Sequence, residues 1–165
     1  MFLIFLSAFG QDSSGAINDW KVESKKIGEG KYELTFNGVI SGNWQVYSPN
    51  QILLDVKTTE LKFADSAITQ ADDFILDEKP KEISSIIFEN TKVKIYESSV
   101  SWKATIVING DVPAKLPGTL FYTYGKNDEF YPGTVVPFVT ALEGGVEASR
   151  IKISSIDINN PESPC

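Results

Sequence analysis

Few residues in this sequence could carry out chemistry. It contains no histidine, and its one cysteine is Cys165, the last residue. A histidine-based nucleophile pair, a histidine metal site and an intrachain disulfide therefore cannot be built from it. We expect no hydrolase or transferase centre and no cofactor. A glycosidase needs only two carboxylates, so composition leaves that class open, although nothing supports it.

Two acidic pairs, Asp72-Asp73 and Asp128-Glu129, are the remaining candidates for a metal site. Neither has the ligand spacing of a calcium-binding loop. Solvated loop charge accounts better for both pairs, so we predict no metal. The formal net charge of -7 also disfavours nucleic acid and anionic membrane surfaces as partners.

The stretch 121–138, FYTYGKNDEFYPGTVVPF, concentrates the other candidate residues. It predicts an aromatic strand, a polar loop and a Tyr-Pro-Gly corner that leads into a second strand. Loops held between strands commonly carry binding groups, and we expect exposed aromatics in this one. The predicted binding loop consists of Gly125, Asn127, Asp128, Glu129, Phe130, Tyr131 and Pro132.

The elements that position this loop must be strands in which every second residue is apolar. Apolar residues alternate over 32–36 and, in the longest clean run, over 100–108. Residues 64–82 are polar and broken by Pro80, which predicts a loop with at most a short strand. A helix over 67–76 is the weaker alternative, because its apolar spacing does not persist. Many short strands with closely spaced turn signals predict an all-β antiparallel sandwich, with Trp44 and Trp102 as core aromatics.

The two ends of the chain differ from the middle. Residues 1–10, MFLIFLSAFG, resemble the apolar part of a secretory signal, with a frayed N-terminal strand as the alternative. We therefore predict a leader over 1–19, one domain over 20–142, and a final strand with a linker tail over 143–165. In that tail Ile151, Ile153, Ile156 and Ile158 alternate. Cys165 is either a linker cysteine or an incidental terminal thiol.

Residues 20–142 resemble the N-terminal periplasmic domain of the thiol:disulfide interchange protein DsbD. Three segments carry the resemblance: KYELTFNGVISGNWQVYSP at 31–49, KIYESSVSWKATIVI at 94–108, and the stretch 121–138. The order and spacing of the segments are more specific than any one of them. The resemblance implies an immunoglobulin-like antiparallel β-sandwich in the periplasm.

In that family the loop holds two redox cysteines, shielded by a cap loop. The motif places the first cysteine near Gly125 and the second at Phe130, and neither residue is a cysteine. Thiol–disulfide exchange requires these sulfurs, so we expect a redox-inactive domain that acts by protein–protein contact. The implied partners are periplasmic thioredoxin-like proteins or the membrane part of the same protein. The cap segment corresponds to Phe88, Glu89, Asn90 and Thr91, followed by Tyr96.

Two other functions remain open from the sequence. Tyr122, Tyr124 and Tyr131 could form a stacking surface for a carbohydrate in an envelope protein. The domain could also be a structural spacer in a larger membrane protein.

Overall fold

The computed structural model describes residues 15–147, which form an all-β structure. No helix suited to crossing a membrane occurs between residues 15 and 147. The strands of this range are β1 (Ile17–Gly28), β2 (Lys31–Ile40), β3 (Gln45–Tyr47), β4 (Ile52–Leu53), β5 (Val56–Lys57), β6 (Thr59–Lys62), β7 (Ile68–Gln70), β8 (Ile75–Leu76), β9 (Lys81–Ser85), β10 (Thr91–Tyr96), β11 (Ser99–Ile108), β12 (Lys115–Lys126) and β13 (Glu129–Ala141).

Two antiparallel sheets make up the body of the domain. The first has the strand order β1-β2-β11-β7, and β8 also pairs with β11. The second has the order β13-β12-β3-β10-β9, and β6 also pairs with β12. Strands β4 and β5 form a separate small hairpin. The predicted all-β antiparallel sandwich is confirmed.

The period-two pattern places the core between the two sheets. Alternate residues of β2 and β11 are buried along almost the whole of both strands. Tyr32, Leu34 and Phe36 on β2 pack in one cluster with Trp102 on β11 and Leu120 on β12. Burial of these large side chains is the main favourable contribution to the stability of the domain.

The structure refines several expectations about the elements. Trp102 is fully buried as predicted, whereas Trp44 is only half-buried at the edge of the core. The weak helical pattern over 67–76 gives the two short strands β7 and β8. At the ends, Ala16 and Leu142 both belong to the core. The leader residues 1–14, the alternating isoleucines of the tail and Cys165 lie outside the described residues.

Candidate functional site

Strands β12 and β13 form a long hairpin whose tip, residues 124–131, contains most of the predicted binding loop. Lys126 pairs with Glu129, so only Asn127 and Asp128 lie in the turn. Asn127 has a φ of 55°, a left-handed conformation that asparagine tolerates better than most residues. Gly125 pairs directly with Phe130 across the hairpin. The predicted loop is therefore mostly paired strand.

A β-bulge at the Tyr-Pro-Gly corner decides which way the aromatic residues face. Tyr122 pairs with Thr134 and Tyr124 with Tyr131, so the two residues Pro132 and Gly133 lie opposite one residue of β12. Gly133 has a φ of 67°, which suits glycine. The extra residue brings Tyr131 to the same face as Tyr124. Pro132 is accommodated because β13 is an edge strand.

Trp44, Tyr124 and Tyr131 form the tyrosine cluster on this face. The Tyr124 and Tyr131 rings stack with centroids 4.9 Å apart, and the Trp44 ring meets them edge-on at 5.1 Å and 5.8 Å respectively. The Lys126 ammonium lies 5.5 Å from the centre of the Trp44 ring. Tyr131 keeps 40% of its surface exposed. The cluster is an aromatic surface that opens to solvent beside a cation.

The environment of Tyr124 keeps its hydroxyl protonated near neutral pH. Burial raises the pKa of this hydroxyl, and the neighbouring Tyr131 and Glu129 raise the pKa further. A tyrosine in this state cannot act as a general base near neutral pH. The tyrosine cluster is therefore suited to contact.

Tyr47, Phe88 and Phe130 form the cap cluster on the opposite face of the hairpin tip. Their rings meet edge to face, with centroids between 5.2 Å and 5.9 Å apart. Leu53, Val93 and Ile95 extend this small core on the outside of the sandwich. The segment predicted as a cap thus lies against the hairpin through Phe88.

Two predicted site residues have different surroundings from those expected. Phe130 was expected to be exposed, but it is half-buried because the Phe88 and Tyr47 rings pack against it. Tyr96 was assigned to the cap, but its side chain is buried in the main core beside Trp102, and its hydroxyl donates to the carbonyl oxygen of Glu78 at 2.9 Å. One residue earlier, Ile95 faces the cap cluster, as strand alternation requires.

The remaining cap residues form the turn before β10. Glu89 and Asn90 both have positive φ angles and are exposed, and Thr91 is the first residue of β10. Their role is to reverse the chain so that Phe88 can fold back over the hairpin tip. Phe88 alone of the four residues 88–91 is buried.

Gly125 has no room for a side chain. A Cβ at this position would lie 2.5 Å from the carbonyl oxygen of Glu129 and 3.3 Å from a ring carbon of Tyr47. A backbone oxygen cannot move away as the end of a flexible side chain can. The resemblance places the first cysteine of the family near this position, where the surrounding atoms leave space only for glycine.

Trp44 and Tyr47 were not among the predicted site residues, yet each joins one of the two clusters. Trp44 directly precedes β3 and Tyr47 is its last residue, and this odd separation places the two side chains on opposite faces. Trp44 enters the tyrosine cluster and Tyr47 the cap cluster. The sequence could show that these two side chains point to opposite faces. It could not show that β3 pairs with the hairpin tip.

The carbohydrate surface proposed from the sequence does not form as expected. Tyr122 and Tyr124 are only 1% and 5% exposed, and they stack on each other within the aromatic core. A sugar ring needs an open aromatic face, which of these three tyrosines only Tyr131 offers. Asp128 and Glu129 are exposed at the turn, and no group of three potential metal-ligating side chains occurs within residues 15–147.

Comparison with known proteins gives one remote structural likeness. No protein-family model matches the chain, and no curated protein does. Among solved structures, the N-terminal periplasmic domain of ScsB from Proteus mirabilis matches with a TM-score of 0.45 and 13% sequence identity. The match covers 73% of this chain but 42% of that one, so the chain spans less than half of the length of that structure.

Proposed function

We propose that the chain is a periplasmic, redox-inactive domain of a thiol:disulfide interchange system, and that it acts by protein–protein contact at the hairpin tip. Its partner is either a periplasmic thioredoxin-like protein or the membrane-embedded part of the same parent protein. The DsbD-like order of sequence segments supports this assignment, and the absence of cysteine before position 165 supports the loss of redox chemistry.

The observation that carries the proposal is the open tyrosine cluster beside a polar rim. Tyr131 offers an aromatic anchor that is already held by Trp44 and Tyr124, so binding would cost little side-chain entropy. The exposed Asn127, Asp128 and Glu129 surround it with polar groups. A rigid aromatic anchor with a polar rim is the usual composition of a protein interface.

Tyr131→Ala is the substitution that tests this contact. We would titrate the purified chain against a panel of periplasmic thioredoxin-like proteins and follow binding by calorimetry. Loss of a central aromatic anchor should weaken binding by about tenfold or more. Val39→Ala is the matched control, since Val39 is an exposed apolar residue on the other sheet.

Circular dichroism should show that both variants keep their fold. Equal affinities of Tyr131→Ala and the unsubstituted chain would overturn the proposed contact, as would the absence of binding to every member of the panel and to the membrane part of the parent protein. Phe130→Ala is a poorer probe than the sequence suggested, because removal of its half-buried ring also disturbs the cap cluster.

A further inference from the structure

Within residues 15–147, a cleft opens at the side of the sandwich where each sheet has an unpaired edge. In the second sheet, β6 pairs with β12 along one edge and with no described strand along the other. In the first sheet, β7 pairs only with β11 among the described strands. The edge cleft has a volume of about 530 Å³ and is lined by residues 50–52, Lys57, 59–61 and 70–74.

The floor of the edge cleft includes a buried hydroxyl that lacks a partner. Thr59 and Leu61 share one face of β6, and both line the cleft. Thr59 is 7% exposed, and its Oγ1 atom has no hydrogen-bond partner among the described residues. Native proteins leave few buried polar groups unpaired. A polar atom of an occupant would supply the partner that this hydroxyl lacks.

Hydrogen bonds hold the far wall of the cleft in place. The Asn50 side-chain amide donates to the Phe74 carbonyl oxygen at 2.7 Å, and the Phe74 backbone amide donates to the Asn50 Oδ1 at 3.0 Å. The Gln70 side-chain amide donates to the Asp72 carbonyl oxygen, also at 2.7 Å. These bonds fix residues 70–74 against the loop that follows β3. The cleft is therefore preformed, and an occupant would lose little affinity to ordering it.

Carboxylates dominate the charge of the edge cleft. Glu60, Asp72 and Asp73 line it, and Lys57 supplies the one ammonium among the lining residues. Glu60 is paired with Lys62 at 3.3 Å, whereas the exposed Asp72 and Asp73 form no ion pair within the described part of the chain. The two free carboxylates therefore attract a cation. No three potential metal ligands come together among the described residues, which favours an ammonium or guanidinium group over a metal ion.

The small β4–β5 hairpin adds apolar surface to the border of the cleft. Ile52 lines the cleft, and Ile52 and Leu54 are each 66% exposed. Leu54 and Asp55 form the turn with φ angles of 50° and 62°, for which asparagine and glycine are the preferred residues. Because leucine does not favour this turn, its exposed side chain is better explained by contact with a partner.

The free edge of β6 also offers main-chain hydrogen-bonding groups. Such an edge presents N–H and C=O groups to which an extended peptide can add as a further strand. Prolines obstruct this kind of addition, and the edge strand β13 contains Pro132 and Pro137. Strand β6 has the sequence TELK, without proline, so its edge remains able to pair.

We propose that the edge cleft binds an extended segment of a partner protein, which adds to β6 as a strand and places a lysine or arginine side chain beside Asp72 and Asp73. Apolar residues of the same segment contact Ile52 and Leu54. Main-chain hydrogen bonds give such a complex its affinity, and the side-chain contacts give its specificity. This inference does not depend on the proposed function, because no residue that lines the cleft belongs to either aromatic cluster.

Peptide titrations of the full-length chain, followed by NMR of its backbone amides, test the docking. The probes are two short synthetic peptides of alternating valine and threonine, one with arginine at its centre and the other with glutamate. The arginine peptide should bind about tenfold more tightly or better, and should shift the amides of 59–62 and 70–74. Equal affinities of the two peptides, or no binding of the arginine peptide, would overturn the proposal.

Asp72→Asn combined with Asp73→Asn should abolish the preference for the arginine peptide. Glu23→Gln combined with Glu29→Gln is the matched control, because it removes the same charge from exposed residues in and directly after β1, the far strand of the first sheet. Circular dichroism should show that both variants keep their fold. An equal loss of preference in the two variants would indicate unspecific attraction to an acidic chain, and the proposal would be wrong.

Backbone methylation of the arginine peptide tests the addition to β6. Methyl groups on alternate nitrogens block one edge of an extended peptide, and the complementary pattern blocks the opposite edge. Only one pattern should abolish binding, since an added strand pairs along one edge. Equal affinities for both patterns would contradict strand addition. Free arginine that binds as tightly as the peptide would assign the cleft to a small molecule, and a dimer of the chain through β6 would assign it to a second copy, so either result would overturn the proposal.

Discussion

The two aromatic clusters at the hairpin tip differ in how far they are closed, although each takes one of two neighbouring residues of β13, Phe130 and Tyr131. In the cap cluster, Phe88 folds over Phe130 and Tyr47, and three edge-to-face contacts join the three rings. In the tyrosine cluster, Tyr131 stays 40% exposed and a lysine ammonium lies over the Trp44 ring. One cluster is a small hydrophobic core, and the other is a surface.

If the tyrosine cluster is the contact surface proposed above, a single hairpin separates stability from binding. The apolar cap cluster fastens the β9–β10 turn to the hairpin and gains most from excluding water. The tyrosine cluster carries hydroxyls and a cation at its rim, which suit a wet interface. Substitutions in the two clusters should therefore have different effects on stability and on binding.

Phe88→Ala should cause the largest loss of stability. Phe88 is 7% exposed and contacts both other rings of the cap cluster, so its removal leaves a cavity and should lower the free energy of unfolding by about 3 kcal/mol. Ile86→Ala, two residues away at 85% exposure, should change it by no more than about 0.5 kcal/mol. Urea denaturation measures both values. Similar losses in the two variants would show that Phe88 does not fasten the turn.

Gly125→Ala should have an intermediate effect. Its Cβ would press on the Glu129 carbonyl oxygen, so the hairpin tip must shift, at a cost of about 1–3 kcal/mol. Gly28→Ala is the control, because the nearest atom to a Cβ there is 3.6 Å away. The same denaturation experiment compares the two variants. A stable Gly125→Ala chain would mean that the tip has space for a side chain such as cysteine after all.

The smallest expected effect is a loss of stability at alkaline pH, to which one tyrosine from each cluster contributes. Burial raises the pKa of Tyr47 and of Tyr124 above the ordinary value of about 10. An unfolded tyrosine then loses its proton before a folded one does, so stability is fully present below about pH 10 and falls as the pH rises further.

Tyr124→Phe removes one of these titrations, and its free energy of unfolding should therefore fall less steeply with rising pH. Urea midpoints measured from about pH 8 to about pH 11 would give the two slopes. Tyr47→Phe should behave in the same way in the cap cluster. Identical slopes for the unsubstituted chain and Tyr124→Phe would contradict the assigned pKa direction.

The sequence predicted much of the fold because strand alternation is a local property. Residues 32–36 and 100–108 alternate clearly, and both lie in long strands with alternate residues buried. Over 67–76 the pattern was a weak helical one, and the strands there are only two or three residues long. Strands this short contain too few residues for the alternation of apolar and polar residues to be recognised in the sequence.

The exposure of the side chains at the hairpin tip was harder to predict. Alternation along a strand shows which side chains share a face, but it does not show what covers that face. The sequence could not show that a bulge at Pro132 and Gly133 would turn Tyr131 towards Tyr124. Phe130 was expected to be exposed because the residue that covers it, Phe88, lies forty-two positions earlier in the chain. Contacts between residues so far apart depend on strand order, which the alternation pattern does not encode.

The sequence by itself determined the chemistry that this chain cannot perform. With no histidine and no cysteine before position 165, no arrangement of strands could create a histidine base or an intrachain dithiol. Only the tertiary structure decided which aromatic residues are covered and which are open, and that no side chain fits at Gly125. The reason is that residue types limit the available reactive groups, whereas exposure and space depend on how distant strands pack.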